Sequence, residues 1–483
     1  MSAPVEILPQ PCGRAAHAQR ATGRLRWLQC GLLAFGLFSA AAPAQPVNPT
    51  AQVNVAIGSQ GLGVPAGRST LPELIAYALA HNPELAAVAL DGEAAAARTR
   101  GADAARYPRL TVEGGYTNYG DDLRLVAARS NGELGVFGAN VATADLVLRV
   151  PVYTGGRLAA ELRAAELLEV SAGQRLTRSR GDLAYNVSSL YFTQLAQGRL
   201  VGALAAARDA LQSQLQRVQA LVGERKAATV DALRTQVRLA DARQRLLREQ
   251  NNLEVLRRSL LNLLGDRTGD LHVTMADVLD TPAAEPRDPR TLTQLALSRR
   301  ADIAAARTEL QAQNARLDVA RAGSSPSVNL LAAAGSRGML APAQQPPGTQ
   351  RQDITYRIGL SFEIPLFDAG RSSARVDEES ARLAALRERL DKLSLQVRLD
   401  IEIAHAGLSS ALERIASADQ AIALAGDNLR IEQEKFAVGR GTTFDVLDAQ
   451  SALTDTQAAQ IRALADANIA AAQLAWASGE NLP

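Results

Sequence analysis

The chain writes one plan twice. Leu74–Leu79 (LIAYAL) returns as Leu292–Leu297 (LTQLAL), and Tyr107-Pro108-Arg109-Leu110 returns as Ser325-Pro326-Ser327-Val328. Val150-Pro151-Val152-Tyr153-Thr154-Gly155-Gly156-Arg157 is echoed by Ile364-Pro365-Leu366-Phe367-Asp368-Ala369-Gly370-Arg371, and Val222-Gly223 by Val438-Gly439. The offsets are 218, 218, 214 and 216, so one architectural unit occurs in two copies, at residues 71–264 and 291–479. Residues 265–290, with Gly269, Pro282, Pro286 and Pro289, read as the linker between them, and residues 45–70 as an irregular leader.

Each unit has the same internal order. A helix of moderate length opens it, Glu84–Arg106 and Ala301–Ala322, and Pro108 or Pro326 ends the helical text, because proline lacks the N–H and disfavours a helical residue before it. Two strand-like segments follow, at about 109–119 and 144–152 in the first unit and 327–334 and 354–364 in the second. The last is the clearest. Ile354, Tyr356, Ile358, Leu360, Phe362 and Ile364 alternate with Thr355, Arg357, Gly359, Ser361 and Glu363, a strict period of two over 11 residues. That is the length of a tilted transmembrane strand. After each proline corner comes a proline-free helix, 157–222 and 371–438, about 100 Å long at ~1.5 Å per residue. Leu383, Leu386, Leu390, Leu393, Val397, Ile401, Ala404, Leu408, Leu412 and Ile415, then Ile422, Leu429 and Phe436, mark a coiled-coil seam along the second. Glycine corners at Gly223 and Gly439-Arg440-Gly441 turn the chain into shorter return helices, 230–264 and 444–478. The two shorter helices of each unit, stacked end to end, would nearly match their long partner.

Composition narrows the class. Aromatic residues are only 4% and charges 21%, which suits long packed helices better than ordinary globules. The net charge is +2, with no basic run or basic-aromatic stripe, so nucleic acid is not an expected partner. Arg14, Arg20, Arg24 and Arg26, the apolar stretch Trp27–Ala42 and the site Ala42-Pro43-Ala44 read as a secretory signal over residues 1–44, with cleavage before Gln45. Cleavage removes four Arg and one Glu, leaving 48 basic against 49 acidic residues, and takes away both cysteines, Cys12 and Cys30. The exported chain needs no oxidative folding. No later segment approaches the roughly 18–20 apolar residues of a spanning helix, so a membrane crossing has to use strands. Four amphipathic strands cannot close a barrel, and open edges are not tolerated in lipid, so several copies must share one.

The ordered motifs resemble the TolC family of outer-membrane channel proteins over about residues 71–479. They are Leu74-x4-Leu79 followed by Asn82-Pro83-x-Leu85, Ala105-Arg106-Tyr107-Pro108, the two proline–glycine corners, and Val438-Gly439-Arg440-Gly441-Thr442-Thr443-Phe444-Asp445-Val446-Leu447-Asp448-Ala449. The resemblance implies a mainly α protomer with four transmembrane strands, and a homotrimer with a 12-stranded β-barrel in the outer-membrane lipid, continuous with an α-helical periplasmic tunnel. It implies docking to a periplasmic adaptor (membrane fusion) protein and an inner-membrane transporter of RND, MFS or ABC type, for drug efflux or type I secretion. Between those two the residues do not choose.

The resemblance places a periplasmic entrance gate at Asp445, Asp448, Arg440 and Asp231, and adaptor-contact tips at Gly223, Arg225, Gly439 and Thr442. Two departures stand out. Asp231 lies nine residues after Val222 but Asp445 only seven after Val438, which implies a longer first tip, and Phe436 stands where a latch tyrosine is expected. Simpler roles compete. Thr442-x-x-Asp445 has the form of a capping box, both aspartates suit a first helical turn, and Arg440 suits a solvated turn. Tyr116 and Tyr119 fit an interfacial aromatic belt or ordinary strand positions.

No cofactor, metal or enzymatic site is expected. His81, His272 and His405 lie far apart without ligand spacing, and Gly58-x-x-Gly61-x-Gly63 has no strand or helix to make it a phosphate loop. No nucleophile–base pair stands out. The rival class is a periplasmic coiled-coil adaptor or scaffold without a barrel. The alternation at Ile354–Ile364 argues against it, since a soluble adaptor has no use for such strands. If the strands span, the even-numbered residues face lipid and the odd-numbered ones the lumen.

Overall fold

The computed structural model describes residues 67–267, 271, 273–283 and 287–480. The signal segment and its cleavage site, both cysteines, the leader up to residue 66, and His272 and Pro286 lie outside the described residues. In chain order the elements are β1 (Gly67–Ser69), α1 (Leu71–His81), α2 (Pro83–Ala104), β2 (Arg109–Arg124), β3 (Phe137–Tyr153), α3 (Arg157–Gly223), α4 (Thr229–Leu263) and β4 (Val273–Met275). The second half continues with α5 (Pro289–Arg299), α6 (Ala301–Arg321), β5 (Ser327–Met339), β6 (Gln352–Glu363), α7 (Arg371–Ala437) and α8 (Thr443–Ser478). The long helices α3 and α7 both have 67 residues.

The strands run further than the alternation alone marks, to 16 and 17 residues in β2 and β3, because ladder pairing continues where one face stops being apolar. The end of the leader and the middle of the linker are not irregular. Gly67–Ser69 pairs in parallel with Val273–Met275. Tyr191 of α3 fixes that pair: its hydroxyl donates to Asp277 Oδ2 at 2.6 Å, and the same carboxylate accepts from Leu71 N at 3.1 Å, at the start of α1. Burial raises the Tyr191 phenol well above its usual range, so it stays a donor.

The large sheet is antiparallel in the order β2-β3-β5-β6, so the two repeats meet at β3 and β5. Residues directly opposite one another share a face. Ile358, Ala332, Leu148 and Leu110 form one row, and Tyr356, Ala334, Leu146 and Val112 the next. The even-numbered residues of all four strands thus make one apolar face, with Ile358 79% and Tyr356 84% exposed. From Ile354 to Ile364 it covers about 25 Å of height, taking ~3.3 Å per residue and a ~40° tilt. The odd-numbered face is polar and covers its small residues, Val147 and Ala333 being buried. A Cβ at Gly335 would strike the Ala144 carbonyl and the Asp145 carboxylate, so β3 and β5 can cross closely only over glycine.

Below the sheet the helices lie in the order α4, α3, α8, α7, with α2 also along α3 and α6 wedged between α3 and α7. Short helices meet return helices at two joints. In the first, Asn82 caps α2 by accepting from Leu85 N at 3.0 Å and donates Nδ2 to the Leu263 carbonyl at 2.8 Å, ending α4. In the second, Arg300 takes the place of Asn82 and reaches the Ala477 carbonyl, ending α8, at 3.5 Å. Gly265 and Gly479, both at positive φ, let the chain pass each joint. The side chain of Arg300 is 3% exposed and pairs with Asp302 at 2.7 Å and Asp400 at 2.9 Å. Arg178 of α3 joins the cluster through Asp302 at 3.6 Å, pairs with Asp182 of its own helix at 2.9 Å and lies 4.2 Å from the ring centre of Trp476, whose Nε1 donates to Asp182 at 2.7 Å. The second joint therefore ties the repeats together.

Candidate functional site

Two regions hold the residues singled out from the sequence: the helix tips and the sheet. At the first tip, α3 ends in a Schellman-type turn, with Lys226 N donating to the Leu221 carbonyl at 2.8 Å and Arg225 at φ +60°. At the second, Arg440 N donates to the Lys435 carbonyl at 2.9 Å and Gly439 sits at φ +71°. Arg225 is thus the counterpart of Gly439, Lys226 of Arg440, Ala228 of Thr442 as N-cap, and Asp231 of Asp445.

This corrects the sequence alignment. The tips have equal length, offset by 214 residues throughout, and the apparent two-residue insertion came from matching Gly223 to Gly439. Gly223 is the last residue of α3, in ordinary helical territory, and the left-handed position falls on an arginine. Glycine is the expected marker of that position, so the real one was hidden.

Thr442 and Asp445 form the capping box. Thr442 Oγ1 accepts from Asp445 N at 3.2 Å, and the Asp445 carboxylate accepts from Thr442 N at 3.0 Å and Thr442 Oγ1 at 2.7 Å. Those hydrogen bonds, helped by Lys435, hold the Asp445 carboxyl below its ordinary range. Ala228 has no such group to offer at Asp231. Asp448 lies one turn on and lines an open groove of about 500 Å³ between α4 and α8, with Arg234, Arg238, Asp241, Val230, Leu233, Val237, Phe444 and Leu447. Arg234 occupies in the first tip the position of Asp448 in the second, so the two tips carry opposite charges there. Phe436 packs its ring against Leu429, Val446 and Ala449 inside the second hairpin. The tip residues are held by backbone geometry and caps; of the two aspartates only Asp445, half-buried, lies in the first turn of α8, and Asp448 is exposed one turn on.

In the sheet, Tyr116 donates to Asn140 Oδ1 at 2.6 Å, and both Tyr116 and Tyr119 are exposed. On the odd face Arg149 pairs with Glu113 at 2.8 Å. Among the described residues no group of His, Cys, Asp and Glu could hold a metal ion, and no helix is long and apolar enough to cross a membrane. Sequence reasoning missed the two joints. The signal was present, since Asn82 and Arg300 occupy the same place 218 residues apart, each just before a helix.

The repeats and their strands match known proteins. The TolC outer membrane protein of Escherichia coli is 23% identical over 381 residues, 77% of this chain and 74% of its own. The probable efflux pump outer membrane protein TtgC of Pseudomonas putida is 26% identical over 429 residues, 86% of this chain and 84% of its own. The outer membrane protein VceC of Vibrio cholerae superposes with a TM-score of 0.70 at 20% identity, over 85% of this chain and 96% of that one, and so shares the fold. The family model for outer membrane efflux proteins matches residues 74–266 and 292–480, the two repeats in turn. With most of its length so matched, the chain belongs to the outer membrane efflux protein family, the family of TolC.

Proposed function

We propose that this protein is the outer-membrane exit duct of a tripartite efflux pump or type I secretion system. Three copies would close a 12-stranded barrel from the four-stranded sheet, with the helices forming a periplasmic tunnel beneath it. One observation carries this reading: an apolar face runs unbroken across all four strands while β2 and β6 remain open edges. In lipid such edges must be paired, and identical copies supply the partners. The helices support the same assembly. The outer helices α4 and α7 expose apolar rows, Val230, Leu233, Val237, Leu247 and Val255 on one and Leu395, Leu399, Ile403, Leu424 and Ile431 on the other. Each large side chain buried between copies contributes up to about 1.5–3 kcal/mol.

In the closed assembly Asp445 and Asp448 of three copies would ring the periplasmic entrance, with Arg440 and Asp231 beside them. The turns at Gly223, Arg225, Gly439 and Thr442 would meet a periplasmic adaptor and an inner-membrane transporter. The duct itself is passive, with no cofactor and no nucleic-acid partner. Fractionation and bilayer recording test this. The duct reading expects heat-labile oligomers in detergent extracts of the outer membrane that open conducting pores. A soluble periplasmic protein without pores would make it an adaptor instead. Photo-crosslinkers at Arg225 and Thr442 are expected to capture a periplasmic partner; capture from residues 339–350 would invert the orientation.

A further inference from the structure

We infer that the barrel half of the duct carries an arginine girdle that favours anionic groups of the cargo, in series with an acidic ring one row above it. The inference rests on the duct reading and specifies the chemistry of its lumen. Across three neighbouring rows of the odd-numbered face the charges segregate; in the row above them Arg337 lies opposite Asp353, whose carboxylate pairs with Arg129 at 2.9 Å. Arg109 lies directly opposite Arg149, and Glu113 directly opposite Asp145. Arg357 sits opposite Ala333, in the row between them. Like charges directly opposite destabilise a sheet, so neither pair is there for folding.

A single ion pair crosses the rows, Arg149 to Glu113 at 2.8 Å. Arg109 and Arg357 are exposed, and neither side chain makes a hydrogen bond or ion pair with a described residue. The other odd-face positions of these rows are Thr111, Val147, Ala333, Leu331, Gly359, Gly335 and Thr355, none of which can neutralise them. Small residues there leave the guanidinium groups room to extend into the lumen, and a Cβ at Gly359 would meet nothing within 4 Å.

Three copies would set nine guanidinium groups in two adjacent rows and six carboxylates in the next, three of each being paired through Arg149 and Glu113. Neighbouring rows on one face are about 7 Å apart along the strand. The Debye length at physiological salt is about 8 Å, so Arg109, two rows or about 13 Å from the acidic ring, keeps its own field, while Arg357, one row away, is partly offset. Guanidinium groups bind carboxylate, phosphate and sulfonate oxygens in bidentate fashion, and rings of arginine bias a pore toward anions. The lumen would thus read the opposite sign from the aspartate entrance. Cargo carrying both a cationic and an anionic group finds a partner at each end.

The test is the reversal potential of single channels in a potassium chloride gradient, in an Asp445→Ala/Asp448→Ala background that removes the entrance charge. Adding Arg109→Gln and Arg357→Gln is expected to raise the cation-to-anion permeability ratio about twofold or more. Arg109→Lys with Arg357→Lys should leave the ratio in place, and Glu113→Gln should lower it. If Arg109→Gln hinders assembly, Arg357→Gln alone should give a smaller rise. An unchanged ratio in assembled neutral variants overturns the girdle while the duct reading stands. A background protein that forms oligomers but never conducts overturns the duct reading, and the girdle falls with it.

Discussion

The joint at Asn82 and the joint at Arg300 have the same backbone shape and opposite chemistry. Each must supply a donor to the last carbonyls of a return helix, Leu263 or Ala477. Asn82 does this as a neutral amide above an apolar core of Leu74, Leu183, Val187, Tyr191 and Leu260. Arg300 does it with a charge, favourable at a helix C-terminus but costly to bury unless paired. Asp302 and Asp400 supply the pairing, and Arg178 with Trp476 extend it into the first repeat. The neutral joint closes within its own repeat, whereas the charged one requires neighbours and so fastens the two halves.

Breaking that contrast ranks the expected effects. Arg300→Ala takes the main partner from two largely buried carboxylates, leaving Asp302 with Arg178 and Asp400 with Gln396, and should cost about 3 kcal/mol, against ~1–2 kcal/mol for Asn82→Ala, which loses a cap and one hydrogen bond. Denaturant unfolding of the detergent-solubilised protein measures both; equal losses would mean that the charged network adds nothing. Next come the glycines. A Cβ at Gly265 would overlap the His81 carbonyl, whereas one at Gly479 would meet Arg300 N at 3.2 Å. Gly265→Ala should therefore be the worse of the two, by roughly 1–2 kcal/mol, since both share the positive-φ penalty.

Acid should separate the joints more gently. Burial pushes the Asp302 carboxyl up, but the hydrogen bond from Arg300 and the charges of Arg178 and Arg300 outweigh it and leave it below its ordinary value of 3.8. A depressed carboxyl contributes stability that is fully present above the unfolded value and lost as pH falls through the folded one. Below about pH 3.8 the second joint should loosen while Asn82, which does not titrate, is unaffected. Hydrogen exchange at α5 against α1 across that range reads the difference; parallel loss at both would assign the effect elsewhere.

The smallest effects lie at the tips. Arg225 is a non-glycine residue at φ +60°, so Arg225→Gly should stabilise the first hairpin by about 1 kcal/mol, and Gly439→Ala should weaken the second by a similar amount. Opposite signs in thermal unfolding check the equivalence of the two positions.

Those tips also show where the sequence was legible. The repeat, the long helices, the proline corners and the alternation at Ile354–Ile364 all rest on periodicity or on residues with fixed backbone preferences, and these can be read locally. What escaped depended on distant partners. Three residues at Gly67–Ser69 become a strand only because Val273–Met275 lies beside them, and Arg300 reads as a surface charge until Asp400, 100 positions on, is brought to it. The register at the first tip was misread for a different reason, since an arginine in the left-handed region carries no local mark.

The proposed duct turns on which face of the sheet meets lipid. Ile358 and Gly359 are neighbours on β6 that point to opposite faces. The decisive measurement is the heat-labile oligomer recovered from the outer membrane for Ile358→Arg and Gly359→Arg. An arginine at mid-barrel in lipid costs about 2–4 kcal/mol per copy, three times over in the proposed trimer, so Ile358→Arg should abolish assembly. Gly359→Arg should assemble at the wild-type level and change only conductance. Equal assembly of the two variants, or loss of Gly359→Arg alone, would contradict a barrel built with this face outward.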